Sequence, residues 1–130
     1  MDTKTIKQQV EFKASAKDVY EALMDSKIHS QFTGAKAQIE NKVGGEFTAW
    51  DGYASGKNIE LITGKKIVQS WRADDWVKGA ESKLTIELSE QDGQTRLNFI
   101  QTGVPEEFVK DIASGWQEYY WKPLKNYFEK

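Results

Sequence analysis

GVPEEFVKDIASGWQEYYWKPLKNYFEK, residues 103–130, is the stretch whose reading decides the fold. Pro105 suits the first turn of a helix, because its missing N–H would have had no intrahelical partner there. Glu106 and Glu107 then fall at the positive end of the helix dipole, and Lys122, Lys125 and Lys130 at the negative end. Val109, Ile112, Trp116, Tyr120 and Leu124 recur at steps of three and four, which gives one broad apolar stripe. Unbroken to Glu129, such a helix is about 37 Å long. A helix of that length and aromatic content, following a run of strands, needs a large curved partner to bury its face. The expectation is a sheet wrapped around one helix.

Two residues interrupt this pattern. Gly115 costs about 1 kcal/mol against Ala in a helix interior, so a sheet side chain or a ligand is expected to approach closely there. Pro123 removes the bond to the Tyr119 carbonyl and is expected to bend or loosen the last turns.

Upstream, Thr5 to Lys13 alternates with Ile6, Val10 and Phe12 on one face, the period of a strand. Ser15 followed three residues later by Asp18 caps a helix whose apolar side is Val19, Ala22 and Leu23. Asp25-Ser26 ends it, and a second short helix over Lys27–Phe32 closes at Thr33-Gly34. Glycine then punctuates the chain at Gly44-Gly45, Asp51-Gly52, Thr63-Gly64 and Asp92-Gly93, the last a strong hairpin pair. Strand-like runs lie between these turns, around Ala37–Glu40, Glu46–Trp50, Lys57–Ile62, Lys66–Arg72, Ser82–Ser89 and Thr95–Thr102. Trp76 to Glu81 reads as a longer loop. Strands joined by short turns pair antiparallel. The pattern is α+β, a helix-grip fold: a curved antiparallel sheet of about seven strands around a long C-terminal helix, with two short helices after the first strand.

Composition narrows the function. At 130 residues the length suits one domain. Net charge is −2 with scattered basic residues, so no footprint for nucleic acid is present. The absence of cysteine removes disulfides, thiolate metal sites and a cysteine nucleophile. No apolar run approaches the ~20 residues of a membrane span. Asp2, Lys4, Lys7, Glu11 and Lys13 break any signal-peptide core, so the expected location is cytoplasmic. Five Trp, five Tyr and six Phe either fill a bulky core or wall a pocket with rings.

No stretch carries a catalytic or cofactor signature. His29 is the sole histidine, so paired-histidine metal sites are excluded, and it reads as a surface or packing residue. Asp74, Asp75 and Glu81 surround a Trp-containing loop but match no calcium-loop spacing, so the loop reads as solvated. The nucleophile elbow, the P-loop and the dinucleotide-binding glycine pattern are all absent. No catalytic residue, metal or cofactor is assigned. Gln69 shares a strand face with Ile67 and Trp71, and Gln101 shares one with Leu97 and Phe99. A buried amide must be hydrogen-bonded, either to the protein or to a ligand held in an apolar cavity.

Several stretches taken in order resemble one known family. They are Gly44–Gly52 (GGEFTAWDG), Ser55–Thr63 (SGKNIELIT), Ile67–Arg72 (IVQSWR), Thr95–Pro105 (TRLNFIQTGVP) and Gly115–Lys125 (GWQEYYWKPLK). Together they are similar to the C-terminal domain of the co-chaperone that activates the 90-kDa heat-shock-protein ATPase, a START-like (SRPBCC) family. The resemblance covers nearly the whole chain and implies one START-like domain over residues 1–130. It also implies two kinds of partner: an apolar small-molecule ligand in the cavity, as in many helix-grip proteins, or the heat-shock chaperone itself. A cyclase or aromatase activity, which the superfamily also contains, is a third reading, with Tyr53, Tyr120, Glu60 and His29 as acid or base candidates. Strand alternation and the helix stripe place Phe47, Ile59, Leu61, Gln69, Trp71, Phe99, Gln101, Ile112, Trp116 and Tyr120 around such a cavity.

Overall fold

Ile6, Val10 and Phe12 face the interior from β1 (Thr3–Phe12) in the computed structural model, which describes residues 2–129. The Ser15 hydroxyl accepts the Asp18 N–H at 3.1 Å and starts α1 (Ala16–Met24). Asp25 then caps α2 (Ser26–Thr33) by accepting the Ile28 N–H at 2.9 Å, and Gly34 ends it in the left-handed conformation at φ 79°. After this helical corner come β2 (Gln38–Ile39), β3 (Glu46–Ala49), β4 (Ala54–Ile62), β5 (Lys66–Ala73), β6 (Ser82–Gln91) and β7 (Gln94–Pro105).

The strands form one seven-stranded antiparallel sheet in the order β1-β7-β6-β5-β4-β3-β2. Chain reversal from β2 to β7 is by neighbouring strands alone, as short turns require. Asp92 and Gly93 link β6 to β7 with φ 54° and 77°, the two consecutive positive values that a two-residue hairpin needs. β1, first in the chain, lies beside β7 with Gln8 opposite Phe99 and Val10 opposite Leu97. The fold is α+β with the C-terminal helical segment gripped by the sheet.

Three expectations about local structure are corrected. The C-terminal segment is not a single α-helix from Pro105. Strand β7 extends to Pro105, a 3-10 turn covers Glu106–Phe108, and α3 spans Val109–Trp116. A π-helical stretch, Gln117–Trp121, then leads into α4 (Lys122–Phe128). Pro123 accounts for the widened turn: it has no N–H for the Tyr119 carbonyl, and its ring would crowd that carbonyl in a regular helix. The Lys122 N–H accordingly reaches back five residues to the Gln117 carbonyl. Lys130, expected at the helix end, lies outside the described residues.

The second correction is Ile59. The β4–β5 register shifts between Asn58, which pairs with Gln69, and Glu60, which pairs with Val68. That extra residue reverses the alternation, so Asn58 turns inward at 2 % exposure and Ile59 outward at 48 %. The third is Gly115. A methyl group built there would meet only the Tyr119 ring, at an ordinary 3.7 Å, so no sheet side chain packs on it.

Candidate functional site

The interior between helix and sheet is nearly full. Trp116 is its centre, with ring centroids 4.6 Å from Phe99, 4.5 Å from Tyr120, 5.5 Å from Trp121 and 5.8 Å from Trp71. A buried polar chain fixes these rings. The Trp116 indole N–H donates to Gln101 Oε1 at 2.8 Å, the Gln101 amide donates to Ser82 Oγ at 2.9 Å, and that hydroxyl donates to the Trp71 carbonyl at 2.7 Å. On the far side Trp121 donates to Gln8 Oε1 at 2.7 Å, and the Gln8 amide donates to the Ala113 carbonyl at 2.9 Å. What space remains, beside Met24, Phe47, Gln69, Trp71, Trp116 and Tyr120, is a cavity of about 30 Å³. That is room for about two water molecules and not for an organic ligand.

The room lies elsewhere. An open cleft of about 480 Å³ separates the Trp50–Gly52 turn from the C-terminal helical segment. Trp50, Tyr53, Trp71, Trp116, Tyr119 and Tyr120 wall it with rings, and Ile112, Gly115 and Asp111 complete the lining. Gly115 contributes space, since nothing but the Tyr119 ring stands over it. Trp50 is held there against its own backbone preference. It and Asp51 take φ 55° and 57°, left-handed values that cost a residue with a side chain on the order of 1 kcal/mol or more. A reciprocal pair of bonds to Lys36 fixes the turn: the Asp51 N–H donates to the Lys36 carbonyl and the Lys36 N–H to Asp51 Oδ1, both at 3.0 Å. The Trp50 ring then meets Tyr119 and Tyr120 edge to face, at 5.6 and 6.0 Å.

Tyr120 joins the two spaces, lining both cleft and interior. Its hydroxyl lies 3.1 Å from His29 Nε2, while His29 Nδ1 lies 3.0 Å from the Leu23 carbonyl. A carbonyl only accepts, so Nδ1 carries the proton of the neutral ring and Nε2 accepts from Tyr120. Burial drives the Tyr120 hydroxyl far above the usual tyrosine range. Burial also lowers the His29 pKa, opposed by its bond to the Leu23 backbone.

The His29 shift has a sign. Above about pH 6.5 the imidazole is neutral both folded and unfolded, and stability is independent of it. Below that value the unfolded chain takes up a proton that the folded one resists. Stability therefore falls with pH, by up to about 1.4 kcal/mol per pH unit, until the folded-state pKa is reached. Urea denaturation from pH 7.5 downward is expected to show this slope in the wild type and to lack that component in His29→Gln. Parallel curves for the two proteins would contradict the assignment.

The sequence-based site residues divide accordingly. Trp71, Ile112, Trp116 and Tyr120 line the cleft; Phe47 and Gln69 line the small interior cavity. Phe99 is buried against Trp116, and both ends of the Gln101 amide are used within the fold. Gln69 donates to Asn58 Oδ1 at 2.9 Å. Leu61 packs half-buried at the core's margin, and Ile59 is on the outside. Of the acid or base candidates, Glu60 is also on the surface, 3.4 Å from Lys66. Trp50, Tyr119 and Asp111 were not anticipated as lining. Trp50 reads as the last residue of a strand, and Tyr119 sits one place off the apolar stripe. The positive φ at Trp50 has no signature in residue type, although the following Asp-Gly pair marks a turn.

A curved antiparallel sheet, a gripped C-terminal helical segment and an aromatic cleft at its mouth define a helix-grip protein of the START-like (SRPBCC) class. Residues 13–129 match the sequence profile of the family described as Activator of Hsp90 ATPase homolog 1-like protein, and the chain belongs to that family. It is 37% identical over 128 residues to the Activator of 90 kDa heat shock protein ATPase homolog of Dictyostelium discoideum, covering 97% of this chain and 33% of that protein. Against the human Activator of 90 kDa heat shock protein ATPase homolog 1 it is 31% identical over 117 residues, 90% of this chain and 35% of the relative. The chain thus spans about a third of the length of the curated relatives it matches. Among solved structures, an HSP90 activator from Plasmodium falciparum superposes with a TM-score of 0.84 at 22% identity, over 89% of each chain, and shows the same fold. Among the described residues no helix is long and apolar enough to cross a membrane.

Proposed function

We propose that residues 1–130 act as one START-like binding unit that takes an apolar or aromatic small molecule in the open cleft, not in the interior. The observation that carries this is the contrast in free volume, about 480 Å³ between aromatic walls against about 30 Å³ inside. The larger figure lies in the range of small-molecule sites, roughly 300–1,000 Å³. Backbone strain at Trp50 supports the same reading, since strained residues that the surroundings hold in place cluster at ligand clamps. A cytoplasmic setting goes with this reading.

A second reading is favoured by the relatives named as activators of the 90-kDa chaperone. In it the same face, with Tyr119 60 % exposed, contacts the chaperone as a protein partner.

Native mass spectrometry of protein recovered from its own organism separates the two. The ligand reading predicts a reproducible adduct of a few hundred daltons on the wild type, lost in Gly115→Leu, whose side chain would occupy the cleft. A bare wild-type protein that co-purifies with the chaperone would overturn it in favour of the second.

A further inference from the structure

We propose that the cleft is selective for an organic cation: an apolar or aromatic molecule that carries a quaternary or protonated amine. This rests on the reading of the cleft as a ligand site and adds the chemical class of the ligand. Two independent properties of the cleft lead to it.

The first is the wall. Trp and Tyr faces are electron-rich, and a cation within about 6 Å of a ring centroid is attracted to them, most strongly where water is excluded. Trp50, Trp71, Trp116 and three tyrosines converge on one space, the composition of an aromatic cage. Such a wall would also accept a neutral ring, so by itself it does not choose.

The second property is charge. Asp111 is the charged residue in the cleft's lining, which contains neither lysine nor arginine. More negative charge stands beside it. The pairing of Ala54 with Ala73 sets Tyr53 against the start of the loop that follows β5, and the Asp74 N–H donates to the Tyr53 carbonyl at 2.8 Å. Asp74, Asp75 and Asp111 all raise the Tyr53 pKa, after burial as the largest cause, so the three carboxylates act on one hydroxyl at the cleft. None of the three is neutralised by an ion pair among the described residues. Arg72, two residues before Asp74, commits its guanidinium to the carbonyls of Trp76, Val77 and Ala80 at 2.9, 3.4 and 3.2 Å. A fatty acid or another anionic amphiphile would meet uncompensated like charge here. A cationic one would meet complementary charge at the mouth and ring faces behind it.

The test is a set of ligands matched in shape and differing in charge, titrated into the full chain and followed by intrinsic tryptophan fluorescence and calorimetry. The probes are benzyltrimethylammonium, its uncharged isostere neopentylbenzene, and phenylmethanesulfonate as the anion. The cation is expected to bind at least about tenfold more tightly than either, equivalent to about 1.4 kcal/mol. Asp111→Asn is expected to remove most of that preference, and the wild-type preference is expected to weaken as salt is raised. Equal binding of cation and isostere, or a preference that survives Asp111→Asn and Asp75→Asn together, would overturn the cation proposal and leave the cleft as a neutral apolar site. Binding of none of the three would overturn both, and would turn attention to the face as a protein contact.

Discussion

Gly56→Ala is expected to destabilise the protein by about 3 kcal/mol or more, at the upper end of what overpacking costs. A methyl carbon at position 56 would collide with the Ser70 carbonyl oxygen and stand 2.8 Å from the Phe47 ring. The first neighbour is backbone of the adjacent strand, so no side chain can rotate to make room. β4 and β5 would have to part, in the stretch where Ser55 pairs with Arg72 and Asn58 with Gln69. Gly115→Ala is the control: its methyl would find 3.7 Å to the Tyr119 ring, and restoring helix propensity is expected to add up to about 1 kcal/mol. Urea midpoints of the two variants should fall on opposite sides of the wild type. A Gly56→Ala protein as stable as the wild type would mean that the strands do not approach as described.

Trp116→Ala is the second large effect, a loss of about 3–5 kcal/mol. The ring touches Phe99, Trp71, Tyr120 and Trp121, so its removal leaves a cavity at the centre of the aromatic cluster. It also leaves Gln101 Oε1 buried without its donor, a penalty of about 1–3 kcal/mol in its own right. Trp116→Phe keeps much of the ring volume and removes the indole N–H, so it isolates the second contribution. Thermal unfolding of the three proteins should rank wild type above Phe and Phe above Ala. A Trp116→Ala protein that melts with the wild type would contradict the packing. Because Trp116 holds the interior together, its removal is a poor probe of ligand binding; Tyr119→Ala, at an exposed position, is the cleaner one.

The architecture was legible because it follows from periodicity. Ile6, Val10 and Phe12 declare β1, the Asp92-Gly93 pair declares its hairpin, and Ile112, Trp116, Tyr120 and Leu124 declare the face that the sheet must cover. Pro123 announced a disturbance of the helix, but residue type alone does not say that a π-helical turn, and not a bend, would absorb it. The alternation rule failed at Ile59 because a bulge adds one residue to β4 and reverses the faces beyond it. The candidate site was half legible. Trp71, Ile112, Trp116 and Tyr120 belong to the apolar pattern and do reach the cleft, whereas Trp50 and Tyr119 lie outside any repeating pattern. Trp50 is placed by a left-handed turn pinned to Lys36, a contact between residues 15 positions apart, and Tyr119 by the π-helical stretch. Volume was illegible altogether. An aromatic-rich interior reads equally as a pocket or as a plug, and the Trp116–Gln101–Ser82 chain makes it a plug.

If a ligand binds in the cleft and not between helix and sheet, the five tryptophans report it. In a proton–nitrogen correlation spectrum each indole N–H gives its own signal. Trp50 lines the cleft, while Trp121 is bonded to Gln8 on the other side of the interior. Addition of benzyl alcohol, a small neutral aromatic probe, is predicted to shift the Trp50 signal in a saturable way and to leave Trp121 in place. Saturable movement of Trp71 and Trp116, which also line the interior cavity, with Trp50 unmoved would put the ligand inside the grip and contradict a cleft site.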